Sequence, residues 1–208
     1  MINITNEDNM ELMARYPDNH FDLAIVDPPY GIDINKSGRL GHYGGKGKNW
    51  DSQTPKSDYF KELHRVSKNQ IIWGGNYFDL PPTRCFLIWD KQQPEDVSFA
   101  SCEYSWTSFH KSAKTFYMRP QNADKIRIHP TQKPVKLYEW LLINYAKQGD
   151  KILDTHGGSL SIALAVHNVN SKEYMNLTLD VCELDKEYFD EGVKRYKNHT
   201  QQKTIFDL

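Results

Sequence analysis

The stretch FDLAIVDPPYGID (residues 21–33) decides how the rest of the chain is read. Its first six residues form a near-continuous apolar run, the composition of a parallel strand buried on both faces. The run stops on Asp27-Pro28-Pro29-Tyr30. Prolines cannot donate to a ladder, so the chain must leave the sheet there extended and rigid, with an acid and an aromatic ring held at the strand end.

Outward from that strand, apolar periodicity alternates between strand and helix, the pattern of a parallel α/β protein. Residues 2–5 read as a strand and 6–16 as a helix with Met10, Leu12 and Met13 apolar. A helix over 58–67 turns Tyr59, Leu63 and Val66 inward and feeds a strand at 70–73. Segments 85–89 and 104–109 read as paired strands late in the sheet. A helix follows over 135–146, with Pro134 at a favoured first-turn position. Then come a strand at 151–153, a helix at 159–167, a strand at 177–182 and a closing helix at 186–196. The expectation is one domain over residues 1–208 with a mostly parallel sheet.

Composition narrows the chemistry. Cys85, Cys102 and Cys182 are widely spaced, with no CxxC, so neither a disulfide framework nor a zinc site is indicated. No apolar run approaches the roughly 20 residues of a membrane span, and MINITNEDNM is too polar and acidic for a signal peptide. A soluble, cytoplasmic protein is expected. The net charge of -1 hides a pattern: residues 110–136 hold seven Lys/Arg and one acid, and residues 149–191 hold nine acids and three lysines. A basic stretch carrying Phe116, Tyr117 and Arg119 suits a polyanion, whereas a solvated loop beside an acidic helix is the plainer alternative.

Two segments lack regular pattern. Residues 33–56 set Lys36, Arg39, Lys46, Lys48 and Trp50 among five glycines, and residues 111–128 carry Lys111, Lys114, Arg119, Lys125 and Arg127. Loops this long in a compact domain are usually functional or disordered. Both are expected to face substrate.

Two further motifs carry chemistry. In KILDTHGGSLSIALA (151–165) a strand ends at Asp154 and a helix begins after Gly157-Gly158, a turn that admits close approach of a ligand to backbone. Glu183, past the next strand, is placed for the ribose hydroxyls of a nucleoside cofactor. In HPTQKPVKLYEWL (129–141) an extended His129-Pro130 feeds a helix start with Thr131, Gln132 and Lys133, groups suited to a carboxylate or phosphate.

Taken together, the three motifs resemble those of the amino-methylating DNA methyltransferases that use S-adenosylmethionine. Asp27-Pro28-Pro29-Tyr30 is similar to their catalytic motif, residues 129–134 to the segment before their cofactor helix, and residues 154–161 to their cofactor loop. Catalytic motif first and cofactor loop last is the permuted order of the β group. The resemblance implies a Rossmann-like methyltransferase fold with a seven-stranded sheet and one antiparallel strand. It implies double-stranded DNA as partner, a target base flipped from the helix, and no metal. Asp27 and the Pro28 carbonyl would accept hydrogen bonds from the exocyclic amine, with Pro29 as rigid support and Tyr30 stacked on the base. Asp154, His156, Gly157, Gly158 and Ser159 would line the cofactor, Glu183 its ribose, and Thr131 and Lys133 its methionine end. Residues 33–56 would be a mobile loop on the substrate side and 109–128 a minimal target-recognition insert, whose basic residues would contact phosphates together with Lys36, Arg39, Lys46, Lys48 and Trp50. Members of this order are often homodimers.

N6 of adenine is the expected target. The cytosine-N4 subgroup usually begins the motif with serine, and a catalytically silent DNA-binding relative is the reading from another class. One departure bears on that choice: the family's loop usually has a second glycine two residues after the first, where this chain has Leu160. The apolar continuation through Ile162, Leu164 and Ala165 favours Leu160 pointing into the core rather than crowding the cofactor.

Overall fold

The computed structural model describes residues 1–34, 49–94, 100–122, 124 and 127–201. In chain order the elements are β1 (Ile2–Thr5), α1 (Asn9–Ala14), β2 (Leu23–Val26), α2 (Ser57–Val66), β3 (Gln70–Trp73), β4 (Phe86–Asp90), β5 (Cys102–Thr107), β6 (Lys114–Tyr117), α3 (Val135–Tyr145), β7 (Lys151–Asp154), α4 (Ser161–Glu173), β8 (Thr178–Cys182) and α5 (Lys186–Gln201). The strands form one sheet in the order β1-β8-β7-β2-β3-β5-β4-β6. Only β5 runs against its neighbours, antiparallel to both β3 and β4. This is the Rossmann-like α/β arrangement expected, with eight strands in place of seven.

The additional strand is β6, inside a segment read as irregular. It pairs in parallel with β4 at the sheet edge, and Lys114, Thr115 and Tyr117 are exposed. A charged edge strand shows no apolar alternation, because only one residue in it faces packing. Two helix starts and one helix cap also differ from the sequence reading. α1 begins at Asn9 because the extended Asp8 caps it, accepting from Met10 N at 2.7 Å. Pro134 is the cap of α3 rather than a member of its first turn. α4 begins at Ser161, since Leu160 has a left-handed backbone.

β2 shows why the layers close. All four of its residues are buried, with Leu23 and Ile25 in the core shared with α3 and α4, and Ala24 and Val26 in the core shared with α1 and α2. Full burial of Leu23 or Ile25 contributes about 1.5–3 kcal/mol each. Among the described residues no helix is long and apolar enough to cross a membrane.

From β2 the chain winds outward through β3, and from β7 it winds the other way through β8. The direction reverses between β7 and β2, which pair directly. Open α/β sheets bind ligands in the crevice outside the carboxyl ends at such a reversal. Asp27 follows the end of β2 and Asp154 ends β7, so both lie at that crevice.

Candidate active site

A cavity of about 890 Å³ opens at this edge, lined by Asp27, Pro28, Pro29 and Tyr30 on one side and by His156, Gly157, Gly158, Ser159 and Glu183 on the other. Thr131, Lys133 and Trp50 also line it. The volume suits a ligand of cofactor size. Among the described residues no cluster of His, Cys, Asp and Glu suited to a metal ion occurs.

The Asp27 carboxylate has a partner on each oxygen. Tyr30 Oη donates to Oδ1 at 2.6 Å, and the Lys133 ammonium lies 2.5 Å from Oδ2. Burial pushes the Asp27 carboxyl above its ordinary range, against the pull of Lys133. A carboxylate has roughly four lone-pair positions, so acceptor capacity remains for an incoming amine.

Tyr30 is fixed from several directions. Its ring stacks on Tyr77 at 4.9 Å with 11° between planes. On another side it lies against Gly74, where an added Cβ would stand 2.1 Å from Tyr30 Cε1. The backbone after the prolines is tied down by Asp51, which is 3 % exposed. Asp51 Oδ1 accepts from Tyr30 N at 2.8 Å and Gly31 N at 3.1 Å, and Oδ2 accepts from Ile34 N at 3.0 Å. Nothing in the sequence marks Asp51, because its partners are backbone amides about 20 residues away. Trp50 itself packs on His129, with ring centroids 5.1 Å apart.

Lys133, expected at the methionine end of a cofactor, lines the cavity beside Asp27. Only 4 % exposed, it bridges Asp27 and Glu103, with Oε2 of Glu103 at 3.1 Å. Burial works against its charge, but the two carboxylates outweigh it and raise the pKa. Glu103 also meets burial, yet Lys133 and Lys91 hold it ionised, down to about 2. Lys91 Nζ stands 2.8 Å from Glu103 Oε1. Glu103 escaped the sequence reading for a topological reason: because β5 is reversed, its amino end reaches the edge where the parallel strands finish.

Asp154, at the end of β7, is 1 % exposed and is not among the residues that line the cavity, although the loop that follows it is. Its Oδ1 accepts from His156 N at 2.9 Å, and its Oδ2 has no hydrogen-bond partner among the described residues. Burial pushes this carboxyl up to about 8. Glu183 laces the loop to the end of β8: Oε2 accepts from Gly158 N at 2.7 Å, and Gly157 N donates to Cys182 O at 2.8 Å. His156 is pushed down to about 3 by burial and is neutral. Asn9 Nδ2 lies 3.2 Å from its Nε2, which must therefore accept, so the ring proton resides on Nδ1 and points at Thr155 Oγ1, 2.9 Å away. That ring is a wall of the site. Thr131 Oγ1 lies 3.1 Å from His129 Nδ1.

Leu160 points inward. It is fully buried despite a φ of 57°, a conformation that costs an ordinary side chain about 1–2 kcal/mol. Two glycines make its hole: a Cβ on Gly157 would meet Leu160 Cδ2 at 2.8 Å, and one on Gly192 of α5 would meet Leu160 Cγ at 2.8 Å.

The basic candidates divide. Lys114 begins β6 beside Leu87, at the far end of the sheet from the cavity, Lys111 precedes it by three residues, and both bind Asn144 near the end of α3. Arg119 is exposed just past the other end of β6, on the cavity side. Arg127 donates to Pro130 O at 3.0 Å. Lys36, Arg39, Lys46, Lys48 and Lys125 lie outside the described residues, as does most of the expected loop 33–56.

Comparison with known proteins gives a consistent picture. The type II methyltransferase M2.MboI of Moraxella bovis is 23 % identical over an alignment of 257 residues, covering 97 % of this chain and 92 % of that protein. The M1.HpyAVI–SAM complex superposes with a TM-score of 0.62 at 18 % identity, covering 97 % of this chain and all of the other. The PvuII DNA methyltransferase, cytosine-N4-specific, gives 0.62 at 15 % identity over 96 % of this chain and 90 % of its own. The family model for N6/N4 DNA methylases matches residues 88–194, from within β4 into α5 and downstream of Asp27. That match spans just over half of the sequence, and the chain belongs to the N6/N4 DNA methylase family.

Proposed function

We propose that this DNA methyltransferase modifies the N6 amine of adenine, with S-adenosylmethionine as methyl donor and Asp27 as the group that holds the amine. One observation carries the reading: Asp27 and the Gly158–Glu183 wall share a single cavity across the β2/β7 reversal. The residues present fit the cofactor. Glu183 offers a carboxylate at the strand end, Gly157, Gly158 and Ser159 line the cavity beside it, and Asp154 lies buried at the end of β7 with no hydrogen-bond partner for Oδ2 among the described residues. When bound, S-adenosylmethionine supplies an electrophilic methyl group on sulfur.

The chain's own residues do the rest. Asp27 accepts hydrogen bonds from the exocyclic amine, and these strengthen as positive charge develops on nitrogen, which stabilises the transition state more than the ground state. Its raised pKa suits it to take the proton that the nitrogen must shed. Tyr30 orients the carboxylate through its hydroxyl and offers a ring to the base. Pro28 and Pro29 fix the distance, and small misplacements of reacting atoms are costly in rate. Glu183 and Asp154 are assigned to the cofactor, and Trp50, Arg119 and Arg127 to DNA.

Cytosine N4 is the second reading, since the PvuII enzyme is cytosine-N4-specific. Asp27 in the first motif position favours adenine. Incubation of unmethylated genomic DNA with labelled S-adenosylmethionine, followed by digestion to nucleosides, decides between them. N6-methyladenine is expected; label only in N4-methylcytosine overturns the adenine assignment.

A further inference from the structure

We propose that Glu103 is a positioning residue for methyl transfer: by sharing the Lys133 ammonium with Asp27, it sets how tightly Asp27 holds its negative charge and how readily Asp27 receives the substrate amine. The inference rests on Asp27 being the acid that holds the amine.

The geometry is that of one cation between two anions. Lys133 Nζ is 2.5 Å from Asp27 and 3.1 Å from Glu103, and at 4 % exposure water does not compete for it. Its position is confined by the rings of Trp73 at 5.3 Å and Tyr30 at 5.7 Å. Glu103 is anchored in turn. Lys91 holds its other oxygen at 2.8 Å and lies over the Trp89 ring at 5.2 Å, while Glu103 itself is paired in register with Trp89.

The groups facing Asp27 can be sorted by element. Tyr30 comes from the turn after β2, Lys133 from the segment before α3, Glu103 from β5 and Asp154 from β7. Tyr138 on α3 and Tyr59 on α2 also feel its charge, and both are held protonated by burial. Asp154 is protonated below about 8. The charges in play are therefore Asp27 and Glu103 against Lys133 and Lys91, a balanced set of two anions and two cations. Without Glu103 the ammonium would serve Asp27 alone. Asp27 would then ionise more readily, accept a proton less readily, and give up less of its lone-pair capacity to an amine. Without Lys91 the imbalance reverses, because Glu103 draws Lys133 toward itself.

The test is a pair of opposite perturbations, Glu103→Gln and Lys91→Met, read two ways in the full chain. One readout is the pH profile of kcat on unmethylated genomic DNA with labelled S-adenosylmethionine; the other is the 13C titration of the Asp27 carboxyl without substrate. Glu103→Gln should move the acid limb and the Asp27 midpoint down by about one pH unit or more. Its turnover at neutral pH should fall about tenfold, a barrier increase of one decade in rate. Glu103→Asp should return both toward the parent values, and Lys91→Met should move both upward. An unchanged Asp27 midpoint in Glu103→Gln, or a shift of the same sign in Lys91→Met, overturns the proposal; the second variant decides if the first does not fold. Asp27→Asn separates the two levels. Full turnover in Asp27→Asn removes Asp27 as the acid and the proposal with it. An inactive Asp27→Asn beside a Glu103→Gln that titrates and turns over as the parent leaves Asp27 standing and overturns Glu103 alone.

Discussion

Asp27 and Asp154 stand at the ends of adjacent parallel strands, yet the protein treats them in opposite ways. Asp27 is followed by two prolines and faces a buried ammonium; Asp154 is followed three residues later by two glycines, and one of its oxygens has no hydrogen-bond partner among the described residues. The first arrangement fixes a charged group in space before substrate arrives. The second lets backbone approach the cavity closely and buries an acid with one oxygen that no described residue bonds. A strand-end acid has no role of its own; the residues that follow it and the cations within reach assign one.

The sharpest way to break this contrast is to remove each acid. Asp27→Ala should lower turnover by at least two orders of magnitude, about 2.7 kcal/mol or more in barrier, while leaving S-adenosylmethionine binding by calorimetry intact. Tyr30→Phe should lose roughly ten- to a hundredfold in turnover, since a hydrogen bond to a charged group is worth about 1.5–3 kcal/mol. Silence of Tyr30→Phe would detach the hydroxyl from the mechanism. The ring alone, the expectation from the motif, is not the whole of its role, because Oη is bound to Asp27 in the free protein.

Asp154 gives a pH signature instead. With its carboxyl raised from 3.8 to about 8, the folded protein retains a proton that the unfolded chain has released between those values. Stability from this site therefore falls as pH rises across that window. Asp154→Asn removes the dependence, so urea unfolding at pH 5.5 and 8 should show the variant gaining on the parent at the higher pH. An equal difference at both values would mean that Asp154 is ionised throughout.

The smallest expected effect lies farthest from the pair. Lys111→Ala with Lys114→Ala should leave the salt dependence of DNA binding unchanged, whereas Arg119→Ala should reduce the slope of log affinity against log salt by about one unit. The reverse result would place the DNA at the other end of the sheet.

How far the sequence could be read follows the same physics. β2 was legible because burial on both faces leaves an unbroken apolar run, and the strand ends at Asp27 and Asp154 because proline and glycine punctuate them. β6 was not, because a charged edge strand has one packed residue and no alternation. Glu103 was not, because nothing local marks it: its meaning comes from the reversal of β5 and from Lys133, thirty positions onward. The helix start at Lys133 indicates an anion without indicating which one, and the pairing with Asp27 and Glu103 is visible only in the fold. The inward direction of Leu160 was legible from the helix that follows it, whereas the room made by Gly192 depends on α5 packing across the loop.

The pairing of β1 with β8 sets the order in which this protein can be made. Ile2 finds its sheet partner in Leu179, and Asn3 bonds Asp180 across a separation of 177 residues. β1 has no sheet partner until β8, 177 residues further on, has been made, and the loop after β7 that lines the cavity is made only shortly before it. Long-range pairing of this kind slows folding and keeps an unpaired edge exposed for longer. Asp27 and its prolines thus wait for the opposing wall until β7 and β8 are made, so methylating competence arises in one step rather than accumulating along the way.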